Sequence, residues 1–146
     1  MNNYVEEAKK IISDNKYMVI ATTDGLQPWI SPVFMAYDER YNFYWASERD
    51  TRHSKLIEKN NQIALVMFDP MQPEGTGRGV YIEAKAQELN DLAEIKKAIP
   101  LMYDRKNKPH KLAEEFSGEG RRRIYKAVPT KVWVKLAKEA RTEIQL

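Results

Sequence analysis

Short runs of residues with a period of two, each closed by a turn signal, recur from Tyr17 to Leu136. A side-chain period of two specifies strands with one buried face. The first three runs follow one another through tight connections, at Asp24-Gly25 and at Asp38 to Asn42. Successive hairpins favour an antiparallel barrel over a parallel α/β sheet, whose strands need long crossovers. The expected architecture is mainly β: six or so strands closed into a barrel, with a few peripheral helices.

Taken in order, residues 3 to 14 read as an amphipathic helix with Tyr4, Val5, Ala8, Ile11 and Ile12 on one face. Tyr17 to Thr23 is a strand with two largely apolar faces, which implies cover on both sides. The next strand spans Pro28 to about Tyr37 and contains Pro32, whose missing N–H places it on an edge, at a bulge or at a ligand-facing gap. Phe43 and Trp45 then point one way from their strand, with Tyr44 and Ala46 pointing the other. Asp50 or Thr51 can cap a helix from about Arg52 to Lys59, which Asn60-Asn61 ends. Gln62 to Phe68 is nearly all apolar and reads as a central strand.

Asp69 to Gly79, DPMQPEGTGRG, is a loop. Val80 to Leu89 alternates, with Val80, Ile82, Ala84 and Ala86 facing the core. Asp91 with Glu94 resembles a capping box for a helix that Pro100 limits or kinks. A short helix is expected after Pro109, around Leu112, Ala113 and Phe116. The last strand, about Ile124 to Leu136, is interrupted near Pro129, and the polar tail from Ala137 is expected to fray.

Composition narrows the chemistry. With 146 residues the chain is expected to form one domain over residues 1–146. It has no cysteine, which excludes disulfides, thiolate metal sites and cysteine nucleophiles. Two distant histidines do not make a typical transition-metal set, so no metal site is expected. No apolar run approaches the ~18 residues of a membrane helix and the N-terminus is not a secretory signal, so a cytoplasmic location is expected. The net charge of +3 permits a nucleic-acid partner without demanding one.

The informative cluster is basic. Arg49, Arg52, His53 and Lys55 fall within seven residues where a helix begins. A helix N-terminus carries unpaired N–H groups and partial positive charge, so this arrangement suits an anion. Aromatic strands lead into it, which suggests a ligand with a flat apolar part and a phosphate. A solvated helix start is the plainer alternative, and Asp50 argues against an anion unless its carboxylate turns away.

Three segments, ATTDGLQPWISPVFMAYDERYNFYWAS, TRHSKLIEKNNQIALVMFD and GVYIEAKAQELND, resemble in order and spacing the pyridoxamine 5′-phosphate oxidase-like family of FMN-binding split barrels. The resemblance covers about residues 4 to 136. It implies a homodimer with FMN bound at the subunit interface. The second strand would give the flavin ring main-chain contacts, at Ser31, Pro32, Val33 and Phe34, with Met35 next. The third strand would contribute near Trp45, Ala46 and Ser47. Thr51, Arg52 and His53, with Lys55 close behind, would hold the phosphate, and Trp133 could line the ring from the partner subunit. His53 departs from the family pattern, which usually has lysine there. The ending KEARTEIQL lacks the basic residues that bind the vitamin substrate in the oxidase. The resemblance therefore implies an FMN-dependent oxidoreductase with a small-molecule redox partner, related to that oxidase but not identical to it.

Four other readings stay open on the sequence. Two are relatives of this architecture that bind the deazaflavin F420 or haem, with His53 or His110 as axial ligand in the haem case. The third is a flavin carrier or sensor without turnover. The fourth is a small barrel that stacks single-stranded nucleic acid on exposed aromatics.

Overall fold

The computed structural model describes residues 3–146. The expected mainly-β fold is found, as an antiparallel half-barrel with three helices. The strands are β1 (Tyr17–Thr23), β2 (Pro28–Phe34), β3 (Ala36–Tyr37), β4 (Phe43–Glu48), β5 (Gln62–Phe68), β6 (Arg78–Glu88), β7 (Arg122–Leu136) and β8 (Thr142–Ile144). The helices are α1 (Tyr4–Asp14), α2 (Arg52–Lys59) and α3 (Leu92–Lys106), with a 3-10 turn at Ala113–Phe116.

The sheet runs β2-β1-β5-β6-β7-β4-β3, with β8 paired to β7. β1 meets β5, and β4 meets β7, across long connections, a Greek-key-like path. β2 and β3 stand at opposite ends of this order, yet Met35 alone separates them in the chain. One residue spans only ~3.8 Å, so the sheet must curl until its ends almost meet. The Met35 N–H bonds Lys16 O at 2.9 Å and pins the junction. The expected single strand from Pro28 to Tyr37 is thus two, broken where the chain passes from one end of the sheet to the other.

Alternation fills the barrel. Met18, Ile20, Val33, Phe43, Trp45, Leu65, Met67 and Ile82 all point inward, joined by Ala8, Ile11 and Ile12 of α1 and Ile57 of α2. Trp45 and Tyr125, directly opposite on β4 and β7, stack at 5.6 Å between centroids. On the other face of β4, Tyr44 packs with Ile95, Ile99 and Met102 of α3 and with Phe116.

Several local expectations are corrected. The β1–β2 connection is a four-residue loop, since Thr23 pairs with Pro28. Asp24 Oδ1 accepts the Leu26 and Gln27 N–H groups there. α3 continues through Pro100 to Lys106, because burial of Ile95, Ala98, Ile99, Met102 and Tyr103 outweighs one lost backbone bond. Asp91 precedes that helix without a side-chain capping bond, so the capping box is not formed. The tail does not fray: β8 pairs with β7, and Ile144 and Leu146 pack on the barrel core. Near Pro129 the β6–β7 register shifts, as the proline required, and Thr130 Oγ1 bonds Glu83 O.

The β3–β4 turn is organised by Asp38. Its carboxylate accepts the Arg40 and Asn42 N–H groups, the Asn42 side-chain amide and the Tyr44 hydroxyl. Burial alone would raise the Asp38 carboxyl; the hydrogen bonds from Asn42, Tyr44 and Arg40 outweigh it and hold the group below the usual range. Its stabilisation is therefore present above the unfolded value of about 3.9 and is lost as pH falls through the lower folded value.

Two stability outcomes follow, both measurable by urea denaturation. Trp45→Ala should cost about 3–5 kcal/mol, because it opens a cavity in the barrel. Asp38→Ala should cost roughly 1–2 kcal/mol at pH 7, a figure discounted for partial exposure. That second difference should shrink as pH falls below about 3.9.

Candidate functional site at the split edge

Among the described residues β2 bonds only β1, so its other edge carries main-chain groups that no described strand pairs. Ser31 and Phe34 are half-buried on this strand, Pro32 is exposed and the Val33 side chain points into the core. The Met35 N–H bonds Lys16 O, so by the alternation of an antiparallel ladder Val33 and Ser31 turn their main-chain groups toward β1, while Pro32 and Phe34 turn theirs to the free edge. Phe34 meets Tyr17 edge to face at 5.6 Å. Across the gap, β4 brings Trp45, Ala46 and Ser47. Trp45 is fully buried, and its indole N–H has no hydrogen-bond partner. Ala46 is half-buried and Ser47 is buried at the strand end.

β4 leads through Arg49 and Asp50 into α2. Thr51, not Asp50, is the cap: its hydroxyl oxygen accepts the Ser54 N–H at 3.2 Å and lies 2.7 Å from Ser54 Oγ. Asp50 is exposed and turned away from the capping role. The first helical positions are Arg52 and His53, whose N–H groups have no intrahelical acceptor by the geometry of a helix start. The Arg52 guanidinium lies over the exposed Trp29 ring of β2, 4.1 Å from the centroid. His53 is half-buried, with Nε2 2.8 Å from Ser47 Oγ. Burial pushes its pKa below the ordinary histidine value.

Arg52, His53 and Ser47 thus meet beside β2. Lys55 lines a different cleft, of about 800 Å³, together with Arg49, Asp50 and Glu58 and a floor of Ser54 and Tyr125. Neither Arg52 nor His53 lines that cleft. Burial raises the Tyr125 phenol, against a lowering contribution from its hydrogen bond to Ser54.

Two features escaped the sequence. One is the Arg52–Trp29 stack, because nothing in a separation of 23 residues ties a strand aromatic to a helix-start arginine. The other is Lys106 of α3, whose ammonium lies 5.3 Å from the Phe34 centroid and 4.8 Å from that of Tyr103. Burial, and then the charges of Arg122, Lys108 and Lys111, lower its pKa. The run RKNKPHK was the only available signal. β2 is therefore flanked by a cation at each end.

Several other basic residues have structural partners. Arg78 pairs with Glu7, and Arg121 with Glu48 at 3.4 Å. Arg123 is buried and donates to the Gly118, Gly120 and Arg122 carbonyls. His110 is exposed and bonds Asp104 at 2.6 Å. Among the described residues no group of three His, Cys, Asp or Glu could hold a metal ion.

The outer sheet face carries Val19, Ala21, Ile30, Val66, Tyr81 and Trp133 around an apolar depression of about 630 Å³. The second apolar face of β1 is thus open in the protomer. Among the described residues no helix is long and apolar enough to cross a membrane.

No curated protein matches the sequence. Among solved structures, a haem-binding protein from Mycobacterium smegmatis superposes with a TM-score of 0.80 at 13% identity, over 99% of this chain and 59% of that one. An FAD-binding protein from Mesorhizobium loti gives 0.68 at 16% identity, over 90% and 92% of the two chains. General Stress Protein 26 from Bacillus anthracis gives 0.66 at 16%, over 95% and 97%. At such identities the likeness is one of fold. A family model, described as pyridoxamine 5′-phosphate oxidase, matches residues 4–136, and the chain belongs to that family.

Proposed function

We infer that this chain is an FMN-binding flavoprotein, a homodimer that serves as an oxidoreductase for a small-molecule partner in the cytoplasm. The carrying observation is that the unpaired β2 edge and the start of α2 lie side by side, with Arg52 seated on Trp29 between them. This donor set fits a flavin nucleotide. An edge strand offers main-chain donors and acceptors to a flat heterocycle, and two free helix-start N–H groups with an arginine suit a phosphate.

In this reading the edge of β2 from Ser31 to Phe34 binds and orients the ring. Ala46 and Ser47 wall the gap, and the Trp45 side chain stiffens that wall from within the core. Arg52 and His53 hold the phosphate, with the Trp29 ring keeping the guanidinium in place. Lys55 adds charge to the same helix from its own cleft. FMN, when bound, would supply the electron or hydride chemistry. No catalytic residue is assigned in this gap, since His53 is placed at the phosphate and not at the ring.

The open apolar face supports the dimer. Monomers rarely expose a contiguous apolar surface of this kind, and here Trp133, Tyr81 and Ile30 gather on one sheet face. The histidines give haem no evident axial ligand: His53 is engaged with Ser47 and His110 with Asp104. Base stacking on exposed aromatics gains little support, since Phe43, Tyr44 and Trp45 are buried.

Arg52→Ala should weaken FMN binding roughly tenfold to a hundredfold, the loss of one charge-assisted contact, while riboflavin affinity stays nearly unchanged. Fluorescence titration with both ligands checks this; equal effects on the two would place Arg52 away from the phosphate. Val66→Lys, at the centre of the open face, should convert a sedimenting dimer to monomer. A variant that remains dimeric would put the interface elsewhere.

A further inference from the structure

His53 occupies the second helical position of α2. Its Nε2 is engaged with Ser47 Oγ at 2.8 Å, and Nδ1 has no partner among the described residues. A neutral imidazole has one N–H donor and an imidazolium has two. The neutral ring therefore offers an anion no net charge, and it can donate through one nitrogen only. Protonation supplies both a charge and the second donor. We propose that His53 is a proton-coupled anion contact, so that the phosphate of a flavin nucleotide binds at the start of α2 together with one proton taken up by the imidazole. The proposal rests on the flavin reading above.

The surroundings of His53 favour coupling. α2 packs on β1, β2 and β6. β2 contains no titratable residue, and the only one on β1 is Tyr17 at its far end. β6 brings Lys85 and Glu88, and Glu88 lies 3.8 Å from Arg123. Next to Ser47 on β4 is Glu48, paired with Arg121. Opposite those two residues on β7 stand Arg123, already bonded to carbonyls, and Arg122. Arg49, Asp50, Arg52 and Lys55 complete the charges along the chain. None of these displaces the His53 equilibrium in the empty site, where burial alone favours the neutral ring. A phosphate dianion would change that balance strongly.

The sign follows from linkage. The free-state value is held below the ordinary one by burial, and a bound phosphate raises it. Between the two values binding takes up a proton, and affinity falls as pH rises, by up to about tenfold per pH unit. The phosphate's own second ionisation, near ~6, acts in the opposite sense. It is complete above pH 7, so the window from 7 to 9 isolates the imidazole.

The test is calorimetric titration of the whole protein with FMN at pH 7, in two buffers of different ionisation enthalpy. Affinity is then followed from pH 7 to 9, with riboflavin as the phosphate-free control. The wild type should take up protons on binding FMN and lose affinity with rising pH, while riboflavin binding stays flat. His53→Lys should bind FMN without proton uptake. His53→Gln, which keeps a hydrogen-bonding group beside Ser47, should bind more weakly, also without uptake. FMN binding to the wild type with no proton uptake and a flat profile would overturn the coupling and leave the flavin site standing. Persistent uptake in His53→Gln would move the proton to another group and overturn the assignment. Failure of all three proteins to bind FMN would remove the flavin reading, and the coupling with it.

Discussion

One residue, Met35, connects the two ends of the main sheet order. A flat sheet of seven strands would hold its edges ~28 Å apart, at ~4.7 Å per step. The connection allows only a few ångströms, so curling is imposed by connectivity before any side chain is considered. Everything else accommodates that curl. The inward residues of β1, β4, β5, β6 and β7 share one core, and Trp45 stacked on Tyr125 fills its centre. The seam remains incompletely zipped, which leaves β2 with an edge that no strand of the described residues covers.

The candidate site is a consequence of that seam. A strand edge alone binds nothing in particular. Here the chain leaving β4 turns straight into α2, and Thr51 starts the helix beside the seam. Free main-chain groups, two helix-start amides and a guanidinium are thereby brought next to one another without any long-range contrivance. The Arg52–Trp29 contact joins α2 to β2 and restrains a side chain that would otherwise lose considerable freedom on meeting a ligand. His53 is restrained in the same way by Ser47.

Much of this was legible in the residues. β1, α2 and β5 begin and end where their patterns and caps indicated, because each buries one face against the barrel and is bounded by Asp, Asn or Thr. Pro32 marked an edge strand, since an interior ladder would miss its N–H. Pro100 signals a break and the polar tail signals fraying, whereas α3 and β8 are held by what they bury: Ile95 and Met102 against β4, Ile144 against the barrel. Tertiary burial outweighed local signals at each.

The sequence by itself determined most of the strands and their inward residues, though neither the β2–β3 break nor β8, and it determined the start of α2 and the basic character of that start. These depend on periodicity, capping and charge, which neighbours along the chain express. The tertiary structure decided which side chains meet. It placed Arg52 on Trp29, His53 on Ser47 and Lys106 over Phe34, sent Lys55 to another cleft, and buried Arg123. Such pairings depend on how the sheet curls and which way each helix faces. No local pattern encodes that, because a charged side chain looks the same in sequence whether it meets water, an aromatic ring or a carbonyl.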